Sequence, residues 1–118
     1  MLNNVTGLKR IILITGYSDL RKGVEGLAGL IKFEYGMDPF EENVLFLFCG
    51  RQACKLKGLI WEGDGFLLLS KRLEASGRYK WPRNRSEALQ LSKEQFSWLM
   101  KGMEIEPGIQ PVKKPFTL

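Results

Sequence analysis

Apolar residues cluster in short runs along this chain, and glycine, proline and charge separate the runs. Residues 9–15 read KRIILIT, a β-branched run closed by Gly16 that predicts a first strand. The period then changes. Val24, Leu27, Ala28, Ile31 and Tyr35 recur at helical spacing, Leu30 widens the stripe, and together they predict a helix over 23–35. Ser18 or Asp19 is a candidate N-cap and Gly36 a natural stop. Gly23, Gly26 and Gly29 fall near one another on that helix and suit close packing on a sheet, although each weakens it by roughly 1 kcal/mol relative to Ala. Residues 44–49, VLFLFC, are apolar without a break, as in a strand buried on both faces.

The stretch 44–82 organises the rest. Its centre, EGDGF at 62–66, is a tight-turn signal between apolar segments and predicts a hairpin of residues 55–62 and 66–73. With Asp64 and Gly65 as the central residues of a type I′ turn, Trp61 faces Leu68 and Lys57 faces Arg72. One face then carries Lys57, Leu59, Trp61, Phe66, Leu68, Ser70 and Arg72. Leu56, Ile60, Leu67, Leu69 and Leu73 form the other, the expected core side. If Gly63 and Asp64 make the turn, Lys55 faces Arg72 instead. Either register sets two cations side by side, which destabilises a sheet unless solvent or an anion separates them.

Arg78-Tyr79-Lys80-Trp81 alternates basic and aromatic residues as a short strand would, and Pro82 ends it or marks an edge. Ser92-x-x-Gln95 matches a capping box before a last helix with Phe96, Leu99, Met100 and Met103 on its apolar face. From Pro107 the chain reads PGIQPVKKPFTL, the composition of a flexible tail. The expected fold is α+β: an antiparallel meander of three to five strands, a helix after the first strand and a C-terminal helix packed on the sheet. Residues 1–106 form one domain and 107–118 the tail.

Charge sharpens this picture. The net charge is +5, and the window 51–85 holds nine of the eighteen basic residues against only three acidic ones. Such an asymmetry points to a polyanionic partner or, more plainly, to a solvated basic face. The candidate nucleic-acid contacts are Arg51, Lys55, Lys57, Lys71, Arg72, Arg78, Lys80, Arg83 and Arg85. Trp61, Tyr79 and Trp81 are candidates for base stacking, with the core as the alternative place for each. There is no apolar run long enough to span a bilayer and no secretory signal pattern, so the expected location is the cytoplasm.

Several enzymatic classes lose support. The chain has no histidine, which removes a histidine base or triad, and Cys49 and Cys54 without further Cys/His ligands do not make a zinc site. No phosphate-binding glycine loop and no nucleophile elbow occurs, so no cofactor is expected. A metal-dependent nuclease needs clustered carboxylates. Asp19, Asp38 and Asp64 are explained by caps and turns, and Asp19 and Asp64 are the pair to mutate if such an activity exists.

The segments GYSDLRKGVEGL at 16–27, LFLFCGR at 45–51, LIWEGDGF at 59–66, KRLE at 71–74 and WP at 81–82 resemble, in order and spacing, the small TnpB accessory proteins (Orf2-like) of the IS66-type bacterial insertion sequences. These are unrelated to the RNA-guided nucleases that share the TnpB name. The matching signature positions are Asp19, Arg21, Lys22, Trp61, Glu62, Asp64 and Phe66, with Lys71, Arg72, Trp81 and Pro82. Cys54 and Leu56 stand where relatives tend to carry more charge. The resemblance implies an accessory factor for transposition, encoded beside a separate transposase and without established catalytic residues. The expectation is a non-catalytic protein that binds DNA through its basic face, with the transposase as a second partner. The alternative is a module that docks on the transposase without specific DNA contact.

Overall fold

A computed structural model describes residues 7–74, 77–83, 87–101 and 110–111. Six strands form one sheet in the order β4-β3-β2-β1-β5-β6: β1 (Arg10–Ile14), β2 (Val44–Cys49), β3 (Lys55–Trp61), β4 (Phe66–Arg72), β5 (Ala88–Leu91) and the two-residue β6 (Gln110–Pro111). Helix α1 (Val24–Phe33) follows β1, and α2 (Lys93–Met100) follows β5. Among the described residues no helix is long and apolar enough to cross a membrane.

The class is α+β, but the sheet is mixed, not a pure antiparallel meander. β1 and β2 run parallel, with Ile12 opposite Phe46 and Leu13 opposite Leu47. Parallel neighbours need a crossover that returns the chain to the same end of the sheet, and the segment containing α1 supplies it. Their unbroken apolar sequences fit, because both lie inside the sheet with both faces covered; every residue of β2 is buried. The remaining pairs are antiparallel, and the helix expected to close the chain is followed by β6, which pairs with β5. Gln110 and Pro111 lie within the expected tail; its other residues fall outside the described set.

Alternation sorts the side chains into two cores, one on each face. Ile12, Ile14, Val44, Phe46, Phe48 and Leu59 pack beneath Leu27 and Ile31 of α1. Ile11, Leu13, Leu45, Leu47 and Leu56 face Phe96 and Leu99 of α2, with Tyr79 and Trp81 closing that side. The residues expected to divide between the two faces of the β3–β4 hairpin do so, yet both faces are core: Phe66 and Leu68 join the first cluster, Ile60, Leu69 and Leu73 the second. Gly58 explains a tight spot in between, since a Cβ there would stand 2.9 Å from the Leu45 side chain.

Three local points are decided. The hairpin takes the second of its two open turns, Gly63-Asp64, so Lys55 opposes Arg72 and Lys57 opposes Ser70. Gly63 has φ +93° whereas Asp64 is not in the positive region, the pattern of a II′ turn, which places Gly first. Neither Ser18 nor Asp19 caps α1. Its N-cap is Gly23, without a side-chain hydrogen bond. Residues 78–81 form no strand, and Tyr79 and Trp81, 3% and 5% exposed, are core residues with no free ring for stacking. The Trp81 indole N–H donates to the Ile14 carbonyl at 2.8 Å, which lets its polar edge enter the core.

The α2 capping box is present. Ser92 Oγ accepts from the Gln95 amide at 3.0 Å, and Gln95 Oε1 accepts from the Ser92 amide at 2.8 Å. Ser92→Ala should lower stability by about 1 kcal/mol, read as a shift in the urea midpoint with an unchanged slope.

Tyr79 supplies a second test. Its hydroxyl is buried without a hydrogen-bond partner among the described residues, and burial pushes its pKa up from 10.0 to about 12. Burial likewise raises Cys49 from 9.0 to about 11. The folded protein therefore holds both protons where the unfolded chain releases them, so stability is complete below pH 9 and falls as pH rises from there to 12. Tyr79→Phe should raise stability at neutral pH by about 1 kcal/mol and flatten the alkaline loss above pH 10. Urea titrations at a series of pH values report both effects.

Candidate nucleic-acid interface

Because β1 and β2 are parallel, the chain leaves both at the same end of the sheet. The segment after β1 and the loop after β2 therefore stand side by side, and antiparallel pairing brings the start of β3 and the end of β4 to the same edge. Between them lies a cleft of about 850 Å³, lined from the β1 side by Tyr17, Asp19 and Arg21, from the β2–β3 loop by Arg51 and Gln52, and from the strands by Lys55 and Arg72.

Fixed backbone contacts shape this cleft. The Ser18 amide donates to the Cys49 carbonyl at 2.8 Å and the Gly16 amide to the Pro82 carbonyl at 2.7 Å. Gly16 has φ +74°, a conformation that suits Gly at this sharp exit from β1. In the β2–β3 loop Ala53 has φ +60°, at a cost of roughly 1–2 kcal/mol for a residue with a Cβ. Its carbonyl accepts the Tyr79 amide at 2.7 Å, which helps to hold it there.

Arg83 joins the two loops. Its guanidinium donates to the Gly16 carbonyl at 3.2 Å, the Gly50 carbonyl at 2.9 Å and the Arg51 carbonyl at 3.3 Å. One side chain thus ties the exit of β1 to the exit of β2. Both Arg83 and Arg51 also lie against the Tyr17 ring, at 5.1 and 5.0 Å from its centroid.

Among the described residues the electrostatics are one-sided: four cations line the cleft, Arg21, Arg51, Lys55 and Arg72, against the carboxylate of Asp19. Asp19 is committed to Arg21: Oδ1 accepts from the Arg21 Nε at 2.9 Å and Oδ2 from its Nη2 at 2.9 Å. The Arg21 hydrogen bonds hold Asp19 down at about 2, from 3.8, so it stays ionised throughout the neutral range. Arg51, Lys55 and Arg72 have no carboxylate partner among the described residues. Lys55 and Arg72 stand directly opposite across the β3–β4 ladder. Nothing in the ladder neutralises that pair, and an anion in the cleft would.

Of the nine cations proposed from sequence, the eight that are described do not form one surface. Arg51, Lys55 and Arg72 converge on the cleft. Lys57 shares the sheet face of Lys55 but stands opposite Ser70 and does not line it, and Lys71, opposite Leu56, is on the other face. Arg78 and Lys80 are exposed on either side of buried Tyr79. Arg83 is committed to the loop carbonyls, and Arg85 lies outside the described residues. Tyr17 and Arg21 were not among the sequence candidates for contact, although Arg21 lies in the signature. Tyr17 follows directly on the Gly16 that closes the first strand, a position that could have marked it.

The family model described as IS66 Orf2-like protein matches residues 9–109. An uncharacterized protein of Sinorhizobium fredii, y4jC, is 34% identical over 107 residues, covering 90% of each chain. A second from the same organism, y4hO, is 35% identical over 95 residues, covering 80% of this chain and 81% of the relative. The chain belongs to the IS66 Orf2-like family. No solved structure matches it significantly.

In this IS66 Orf2-like protein the signature residues divide between two ends of the sheet. Asp19 and Arg21 line the cleft. The Lys22 stem lies where a Cβ on Gly26 would meet it at 3.0 Å, so it covers the first turn of α1. Glu62 and Asp64 are exposed at the hairpin tip, where Trp61 and Phe66 stack edge to face, 4.9 Å apart, with Phe40 beside both. The seven residues of β3 put that tip about 20 Å from the cleft. Asp19 and Asp64 thus stand at opposite ends and do not share a metal site. Among the described residues no three Cys, Asp or Glu side chains are grouped closely enough to hold a metal ion.

Arg83→Met keeps the apolar stem but strips the donors from the loop carbonyls. Stability should fall by about 2 kcal/mol, and amide hydrogen exchange should speed up at residues 16–18 and 50–52. Unchanged exchange there would mean that Arg83 does not hold the loops.

Proposed function

We propose that this protein is a non-catalytic accessory factor for transposition of its insertion sequence, acting in the cytoplasm, and that it binds DNA phosphates through the cleft at the carboxyl ends of β1 and β2. Membership of the IS66 Orf2-like family supports the transposition context. The observation that carries the DNA reading is the convergence of Arg51, Lys55 and Arg72, without a carboxylate partner among the described residues, on one concave site. Such cations bind phosphate by releasing counterions, and their contribution to affinity weakens as salt rises.

A second reading rests on the other end of the sheet. Phe40, 52% exposed, joins Trp61 and Phe66 in an aromatic cluster beside the exposed carboxylates of Glu42, Glu62 and Asp64. That surface suits contact with a protein, and the transposase of the same element is the partner to test. DNA binding and docking use different ends of the molecule and are compatible.

Lys55→Gln combined with Arg72→Gln should weaken binding to a labelled duplex carrying the terminal repeats. It should also flatten the slope of log K against log salt by about two. Titrations against a scrambled duplex across the same salt series separate recognition of the repeats from charge alone. An unchanged slope removes the cleft from the DNA site. Full retention of transposase pull-down in that variant would leave docking to the aromatic end.

A further inference from the structure

The cleft combines features that a duplex-binding surface does not need. It has a volume of about 850 Å³ open to solvent, with room for a few nucleotide units along it. It also contains an exposed aromatic side chain. Tyr17 is 56% exposed and lines the same space as Arg51, Lys55 and Arg72. Neither Phe33 nor Phe40, the other exposed large apolar side chains among the described residues, lines it.

Tyr17 also lies against two guanidinium groups. Arg83 lies 5.1 Å from its ring centroid while its own guanidinium donates to the carbonyls of both loops. The ring therefore rests on an anchored group. Arg51, 5.0 Å from the same centroid, is exposed and has no carboxylate partner among the described residues. An incoming base can displace Arg51 from the ring, and the freed guanidinium is then available to the adjoining phosphate. A base can stack on a protein ring only when it has left its own stack, so an exposed aromatic among phosphate-binding cations selects unpaired strand over duplex.

We propose that the cleft receives an unpaired DNA strand, with one base stacked on Tyr17 and the neighbouring phosphates held by Arg51, Lys55 and Arg72. This rests on the DNA-binding reading and narrows it from DNA in general to single strand, frayed end or displaced nucleotide. Arg21, paired with Asp19, borders the path without supplying net charge. The like-charged Lys55–Arg72 pair is relieved when a phosphate lies between the two heads.

The test compares the full chain binding a labelled 12-nucleotide single strand, the same sequence as duplex, and deoxyadenosine monophosphate, at about 0.15 M salt, near physiological. The single strand should bind more tightly than the duplex. Tyr17→Ala should reduce the ratio of single-strand to duplex affinity about tenfold, the effect of losing one stacked base, whereas Tyr17→Phe should preserve the ratio. A 2-aminopurine base placed along the single strand should change fluorescence on binding wild-type protein at one or two positions only, a readout independent of how the variants fold. Equal affinity for strand and duplex, an unchanged ratio in Tyr17→Ala, or no 2-aminopurine response at any position would overturn the proposal and leave general DNA binding standing. Mononucleotide binding as tight as the single strand would overturn it in favour of a free-nucleotide site. Failure to bind any DNA would remove both this proposal and the reading on which it rests.

Discussion

The parallel pairing of β1 with β2 determines where everything else in this protein lies. It requires the α1 crossover, and that helix covers one face of the sheet. It places two buried strands side by side at the centre, so the other face must be covered as well, by α2 and the segment that carries Tyr79 and Trp81. It also delivers the chain to the same edge twice, after Ile14 and after Cys49, and the two exits become the walls of one cleft. In a purely antiparallel meander successive exits alternate between ends, and residues 16–21 would not meet residues 50–52.

Within the cleft, identical chemistry does different work according to its partners. Arg83 and Arg51 both touch the Tyr17 ring, but Arg83 has its donors occupied by three backbone carbonyls and Arg51 does not. Arg21 is paired with Asp19 at the surface, an arrangement that contributes little to stability. Lys55 and Arg72 oppose one another across a ladder without a carboxylate partner among the described residues. Placing those two there works against the fold and favours a negatively charged ligand, a local conflict of the kind that concentrates at sites of function. The opposite end of the sheet carries the reverse character, with carboxylates around an aromatic cluster, so the molecule presents two chemically distinct poles.

Much of the architecture was legible from local pattern. The β1, β2 and hairpin strands, the α1 stripe and the Ser92–Gln95 box all follow from apolar period, β-branching or a capping signal, which act over a few residues. β5 was not legible, because Ala88-Leu89-Gln90-Leu91 is built from helix-favouring residues and becomes a strand only by pairing with β1. The residues 78–81 failed in the opposite direction. Their alternation resembles a strand, yet it reflects a segment crossing the second core, with Tyr79 and Trp81 turned inward and Arg78 and Lys80 outward.

The sequence by itself determined the class of the fold, the two-sided burial of β2, the α2 cap, and a concentration of positive charge that the three acidic residues within it do not offset. It also carried the signature that relates the chain to IS66 Orf2-like proteins. Tertiary structure alone decided which cations gather. Charge along a chain has no direction until strand register assigns each side chain a face, and a single residue of parity sends Lys71 away from the cleft that receives Arg72. It decided too that Arg83 would bind the loop backbone, and that Tyr17 would stand among the cations of the cleft. Both depend on two loops, more than thirty residues apart in sequence, meeting at one edge of the sheet.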